Sequence, residues 1–430
     1  MHRTLALTAA AVLASSALLA VPASARSTPT PKVLCHGHPA TIVGARPHHN
    51  HVEGTPGDDV IVVRGEHNVV HGNGGDDIIC GGPAEDRLFG GDGNDQLYGR
   101  GTRVFFDRSG RVVEGDHLDG GAGDDLLVPG AGSVDDVVAY GDAPQAVRVD
   151  LAAGRATGWG SDRITRRLPG LGVLGSPYDD TISGGGGRDT LYGGGGSDRI
   201  DGRRGRDLIS DLRFTDLEAG DQGTPDVLIG GADRDHLFSN GGGDTVRAGA
   251  GDDEIAYASR DVDGTTPVAA APETVRGNGG DDRIQGSYGP DAAGLAGSTI
   301  AGGRGSNTWF VFFDGPDTAP ADVAIDAGAG TLVRTQAGAT TTVPVTGIRL
   351  WQAFFPTGVT IDFRGTPRAE ELDSGRGPVH ARMRGGNDTV RTQGGADVID
   401  AGAGRDRVYA GSGHDTCLRA EIAERCEVTR

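Results

Sequence analysis

The segment from Gly175 to Ser210 divides without remainder into GSPYDDTIS, GGGGRDTLY, GGGGSDRID and GRRGRDLIS. A fixed nine-residue period constrains a fold more than composition does, because it repeats one small unit that must stack on its own copies. The template is G-G-x-G-x-D-x-U-x, with U apolar. Its sixth position is Asp180, Asp189, Asp198 and Asp207, and its eighth is Ile182, Leu191, Ile200 and Ile209. The same frame fits GNGGDDIIC, GGPAEDRLF and GGDGNDQLY from Gly72 to Tyr98, and extends back through VRGEHNVVH to GTPGDDVIV at Gly54. Further units run from Asp221 to Ala256, at Gly277 (GNGGDDRIQ), and from RGGNDTVR through TQGGADVID, AGAGRDRVY and AGSGHDTCL.

Each residue type in the template has a physical role. Glycines at positions one, two and four permit positive φ and let carbonyl oxygens approach an ion. The x-U-x triplet is a three-residue strand with one inward apolar side chain. Units two apart then stack on the same side, placing Asp180 over Asp198, Asp189 over Asp207, Asp226 over Asp244, Asp235 over Asp253 and Asp397 over Asp415. At a strand spacing of about 4.8 Å such carboxylates repel, and a hard cation between them would relieve the repulsion. The candidate metal ligands are Asp59, Asp77, Asp86, Asp95, Asp125, Asp180, Asp189, Asp198, Asp207, Asp226, Asp235, Asp244, Asp253, Asp282, Asp388, Asp397, Asp406 and Asp415.

With roughly sixteen units in phase, the chain resembles the hemolysin-type (RTX) calcium-binding nonapeptide repeat family over about half its length. The resemblance implies that the first six positions form a turn that binds Ca²⁺ and the last three a short strand, two units making one coil. The fold class expected is all-β: a parallel β-roll, or β-solenoid, interrupted by strand-rich inserts and capped at both ends. Multiple calcium ions are the expected cofactor.

Composition agrees. With 76 glycines, 5% aromatic residues and a formal charge of −20, the chain has little material for a thick core and a field that attracts cations. That field argues against nucleic acid as a partner. The metal-free chain is expected to be largely disordered.

The N-terminus, MHRTLALTAAAVLASSALLAVPASA, reads as a secretory signal peptide cut after Ala25. The apolar run from Leu5 to Val21 is short and Ala-rich for a membrane anchor, and no second run of spanning length follows. A secreted, extracellular monomer with no membrane span is expected. Four cysteines in an exported chain imply disulfides, and proximity favours Cys35 with Cys80 and Cys417 with Cys426. Zinc is the rival at the first cysteine, which His36, His38, His48, His49 and His51 crowd, but the spacings of a structural zinc site are absent.

The expected organisation is a signal peptide (1–25), an N-terminal cap with the first repeat block (26–98), and an interrupted repeat with a hairpin and a strand-rich spacer (99–174). Repeat blocks follow at 175–210 and, with short insertions, at 211–310. An aromatic strand-rich insert (311–364) precedes a C-terminal repeat block and cap (365–430). DVDG at Asp261 lacks the EF-hand glycine and reads as a turn. The segment Trp309 to Phe363 concentrates Trp309, Phe310, Phe312, Phe313, Trp351, Phe354, Phe355 and Phe363. These either bury against the roll or offer a surface for a glycan or protein ligand.

Neither H-E-x-x-H nor G-x-S-x-G occurs, and the paired carboxylates fit calcium turns better than acid–base catalysis. The sequence therefore points to a secreted calcium-binding structural protein and not to an enzyme. An adhesin using the aromatic segment is the alternative, and a hydrolase hidden in that segment is a weaker one.

Overall fold

The computed structural model describes residues 32–44, 46–100, 115–130, 136–165, 170–211, 224–258, 271–288, 295–313, 321–355 and 358–429. The expected signal peptide, the hairpin around Ser109 and Gly110, and the Asp261 turn lie outside them. The fold is an all-β roll in which each unit gives one short strand and alternate units feed two parallel sheets. In one sheet Thr181–Ser183 pairs with Arg199–Arg204, aligning Ile182 with Ile200, and Ile200 next aligns with Leu228. In the other, Leu191 aligns with Ile209 and Ile209 with Leu237. All six of these side chains are fully buried. The eighth position thus builds the core, one residue per strand from each sheet, in a single file running from Val52 to Cys417.

Insertions lengthen a coil without changing its register. Residues 212–223 separate Leu208–Ser210 from Val227–Ala232, yet the paired triplets on either side keep the frame. A strand has a side-chain period of two, so a one-residue slip would turn every inward residue out, whereas extra length between paired strands leaves the register untouched.

The two large interruptions share one solution. In the first, Arg148–Asp150, Arg155–Thr157 and Ser161–Ile164 form an antiparallel meander inside the sheet. Its last strand pairs with the coil before, at Leu126–Val128, and its first with the coil after, at Thr181–Ser183. In the second, Ala321–Asp326, Thr331–Gln336 and Ala339–Thr346 do the same between Thr299–Ala301 and Val359–Arg364.

The opposite sheet continues through the aromatic segment as ordinary coils, with Ile284 aligned to Trp309, Trp309 to Trp351, and Trp351 to Leu372. Trp309 and Trp351 therefore occupy the inward position itself, at 0% and 2% exposure. They are core rungs of the roll, packed edge to face at 5.9 Å.

Both ends are closed by disulfides with the expected pairing, Cys35–Cys80 and Cys417–Cys426. At the start, an antiparallel ribbon of Leu34–Cys35 and His38–Pro39 is tied to the buried Cys80. At the finish, Ile422–Glu424 and Val428–Thr429 add a last coil over Arg407–Tyr409 and Thr416–Leu418.

Candidate metal centres

All eighteen predicted aspartates are buried, none more than 6% exposed. They stand at the junction of turn and strand, and the backbone fixes them from both sides. The carbonyl of Asp77 accepts from the Gln96 N–H of the next coil at 2.8 Å, and the N–H of Asp77 donates to Asp95 Oδ1 at 2.8 Å. The same bond links Asp180 to Asp198, Asp189 to Asp207, Asp226 to Asp244, Asp235 to Asp253 and Asp397 to Asp415, at 2.8–3.0 Å. The expected stacking is therefore present, with one correction: in these pairs Oδ1 of the later aspartate is committed to the backbone of the coil before it. That leaves Oδ2 as the oxygen not used by the preceding coil, although at Asp244 it accepts from the Ser239 hydroxyl at 2.5 Å.

Where position one is glycine, that oxygen lies in a cradle the glycine makes. The space a Cβ on Gly202 would fill is bounded by Asp207 Oδ2 at 2.5 Å and by the Gly230 carbonyl oxygen of the next coil at 2.7 Å. At Gly184 the same roles fall to Asp189 Oδ2 at 2.9 Å and the Gly202 carbonyl at 2.6 Å. Gly90, bounded by Asp95 Oδ2 and the Gly120 carbonyl, is not in the left-handed region. At these coils the position-one glycine serves for space, whereas the sequence reading assigned it to positive φ; Ala248, Ala401 and Ala410 hold the same position with a methyl group. At position four Gly75, Gly93, Gly196, Gly205 and Gly251 do take that conformation: Gly93 has φ 141°, and a Cβ on it would collide with the Gly75 carbonyl. Position two is left-handed but accepts asparagine, as at Asn73 (φ 77°) and Asn278 (φ 73°).

No hydrogen bond reaches the buried Oδ2 of Asp77, Asp95, Asp125, Asp226, Asp235, Asp253, Asp282, Asp388, Asp406 or Asp415. Buried polar atoms are normally paired, so a row of bare carboxylate oxygens beside backbone carbonyls is a set of hard donors suited to Ca²⁺. Elsewhere Oδ2 finds a local donor, as Asp180 does in the Ser176 N–H and Asp397 in the Thr392 hydroxyl.

Electrostatics agree. Burial, reinforced by neighbouring carboxylates, pushes Asp95, Asp125, Asp235, Asp282 and Asp388 up to about 7. Burial likewise takes Asp77, Asp86 and Asp253 to about 6. Asp59 differs: desolvation pushes it up, but hydrogen bonds from Thr55 and Thr41 outweigh that and hold its carboxyl low.

Several members of the row fall outside the nine-residue spacing. Asp86 N–H donates to Asp116, Asp116 N–H to Asp136, and Asp125 N–H to Asp162, whose Oδ2 accepts from the Tyr140 hydroxyl at 3.0 Å. Their only sequence signal is a D-x-U triplet. Asn50, Asn68 and Asn307 fill the same place without charge, and Glu273, Glu370, Glu421 and Glu427 fill it with a longer arm. Asp211, at the edge of an insertion, joins Asp226 and Asp244, each bringing a carboxylate oxygen within 4.8 Å of the others in a buried cluster. Burial and the surrounding carboxylates hold Asp226 and the adjacent Glu273 well above their usual range.

A second ladder runs at position five, in the opposite sense. Asp76 N–H donates to Asp58 Oδ1, Asn94 N–H to Asp76, Asp124 N–H to Asn94 and Ser161 N–H to Asp124, at 2.8–2.9 Å on the exposed rim. The recurrent D-D pair of GDDVI, GDDII and GDDLL is its signal.

The family model for the RTX calcium-binding nonapeptide repeat matches residues 53–87, 81–101, 115–133, 174–209, 223–255, 271–291 and 384–417. Comparison with curated proteins gives no match. The matched segments coincide with the coils that carry the aspartate row, and they skip both meanders. With its repeats, its parallel roll and its row of buried carboxylates, the chain is an RTX calcium-binding nonapeptide repeat protein.

Proposed function

We propose that the protein is an exported structural module whose roll folds around several calcium ions outside the cell, and that it is not an enzyme. The observation that carries this reading is the row of buried Oδ2 atoms without hydrogen bonds, which at Asp77, Asp95, Asp235 and Asp282 face a position-one glycine and a carbonyl of the next coil. The eighteen sixth-position aspartates would hold the ions through Oδ2, while Oδ1, where it bonds the preceding coil, keeps the backbone in register. Calcium supplies the positive charge that lets neighbouring carboxylates ionise together in a dry interior. Without it, a core of one apolar residue per strand opposes a file of mutually repelling acids.

Export is supported by the signal-like N-terminus and by two disulfides, which persist in oxidising compartments. The interior position of Trp309 and Trp351 supports a structural role over an adhesive one, since an aromatic binding surface would need them outside. Far-ultraviolet circular dichroism tests the calcium claim. Adding Ca²⁺ to the chelator-treated protein should raise the β signal, with Mg²⁺ much weaker because it keeps its waters and demands a tight octahedron. Identical spectra in chelator and in calcium would remove the claim. Mass spectrometry of the exported product should find Arg26 at its N-terminus.

A further inference from the structure

The first coils carry a cluster unlike any in the aspartate row. His51 and Glu53 lie two apart on the strand His51–Glu53, with Val52 turned inward between them. Parallel pairing sets Glu53 directly across from His71 on the neighbouring strand. All three side chains therefore leave the same outer face, and one ligand atom from each lies within 4.8 Å of the others. His51 Nε2 stands 3.0 Å from Glu53 Oε1, and the other Glu53 oxygen accepts from Asn73 Nδ2 at 3.5 Å. His71 is half-buried, its ring stacked on Phe89 at 4.7 Å and within 5° of parallel. A His–Glu ion pair alone would account for His51 and Glu53. It does not account for a second imidazole held against the pair by an aromatic ring.

We propose that His51, Glu53 and His71 form a surface site for a divalent transition-metal ion of the Zn²⁺ or Cu²⁺ class, separate from the calcium row. Two imidazoles and one carboxylate are the donors such ions prefer, whereas Ca²⁺ takes oxygen ligands almost exclusively. Three protein ligands on an open face leave a further coordination position to solvent or to an exogenous group. Cys35 plays no part, because it is bonded to Cys80. The stacked Phe89 does the positioning, fixing the His71 ring at the height where Glu53 faces it.

The experiment uses the untagged, full-length protein, folded in saturating calcium and titrated with ZnCl₂ by isothermal calorimetry. One Zn²⁺ should bind per chain. His51→Ala and His71→Ala should each abolish that binding, and Glu53→Gln should weaken it about tenfold. His38→Ala, an exposed histidine on the N-terminal ribbon, should leave it unchanged. In frozen Cu²⁺-loaded samples, electron paramagnetic resonance should show coupling to two imidazole nitrogens in the parent and to one in His71→Ala. Circular dichroism in calcium must match the parent for every variant, so that loss of zinc is not loss of fold. Absence of zinc binding in the parent, or binding that survives both histidine substitutions, would overturn the proposal. Neither outcome would touch the calcium reading, which these variants leave intact.

Discussion

Asp235→Asn separates the two jobs that the structure gives one carboxylate. Asp235 is fully buried; its Oδ1 accepts from Asp207 N–H at 2.9 Å, and no hydrogen bond reaches its Oδ2. Asparagine keeps the Oδ1 acceptor, as Asn307 does for Asp282 N–H at 2.8 Å, but replaces the bare oxygen with an amide. In the metal-free roll, burial raises the Asp235 carboxyl from 3.8 to about 7. A shift of about three units at ~1.4 kcal/mol per unit corresponds to ~4 kcal/mol of strain when the group ionises. Solvent near the turn screens part of this, leaving ~2 kcal/mol. Asp235→Asn should therefore favour the metal-free fold by about that amount while removing a calcium ligand. Asp235→Ala should lose the ligand and also strand the Asp207 N–H, costing a further 1–3 kcal/mol or so. The assay is a calcium titration followed by circular dichroism, with Asp322→Asn as an exposed-strand control. Asp235→Asn should show more residual β signal in chelator yet need more calcium for full folding, and Asp235→Ala should be worse on both counts. An Asp235→Asn midpoint equal to or below the parent's would refute the assignment of Oδ2 as a ligand and leave only the ladder.

Acid should stabilise the metal-free roll. The row's carboxyls are raised by burial to about 6 or about 7 from 3.8, so the metal-free roll binds more protons than the unfolded chain between those limits. Its stability is fully present below the unfolded value and lost as pH rises through the folded one. The residual β signal in chelator should therefore fall as pH rises from about 5 to about 8, while the unfolded chain's carboxylates are already ionised, and a rising signal would contradict the burial argument. Gly90→Ala puts a methyl group against Asp95 Oδ2 and the Gly120 carbonyl, and should cost about 1–3 kcal/mol in calcium. Gly186→Ala, exposed and with nothing within 4 Å of the added Cβ, should stay within about 0.5 kcal/mol of the parent; equal losses would mean the cradle is unimportant. Reducing both disulfides should lower the thermal midpoint while leaving calcium binding in place, because they pin the terminal coils and not the aspartate row. Calcium released in step with reduction would argue otherwise.

Much of this was legible in the sequence because the repeat is local. A period of nine fixes which residues turn inward, and Ile182, Leu191, Ile200 and Ile209 all do. It also fixes which aspartates stack, and the five predicted pairs are all joined by the Oδ1 bond. What escaped was long-range. Asp116, Asp136 and Asp162 belong to the row, but they follow their partners by 30, 20 and 37 residues and not by eighteen. A period search cannot see a register held by strand pairing across a longer separation. Burial of the tryptophans was one of two readings the sequence left open, but their place in the file was not legible: an aromatic-rich break in a glycine-rich pattern reads as an insert, yet Trp309 and Trp351 align with Ile284 and Leu372 in the core file.

The two ladders also explain why the acids come in pairs, which the nine-residue template alone leaves unexplained. The sixth-position N–H reaches forward to the side chain of the next coil, as from Asp77 to Asp95, while the fifth-position N–H of Asp76, Asn94, Asp124 and Ser161 reaches back to the coil before. Adjacent peptide groups in one turn are thus satisfied in opposite directions along the roll. Neither ladder needs a charge, because asparagine serves in both, at Asn68 in the inner and Asn94 in the outer. Register could therefore be kept by neutral side chains throughout. The inner row nevertheless uses aspartate at nearly every coil, where burial penalises it most, and the outer row mixes aspartate and asparagine at the exposed rim, where charge costs little. A charge retained where it is most expensive, on the oxygen the backbone does not use, is what a ligand for a buried cation requires.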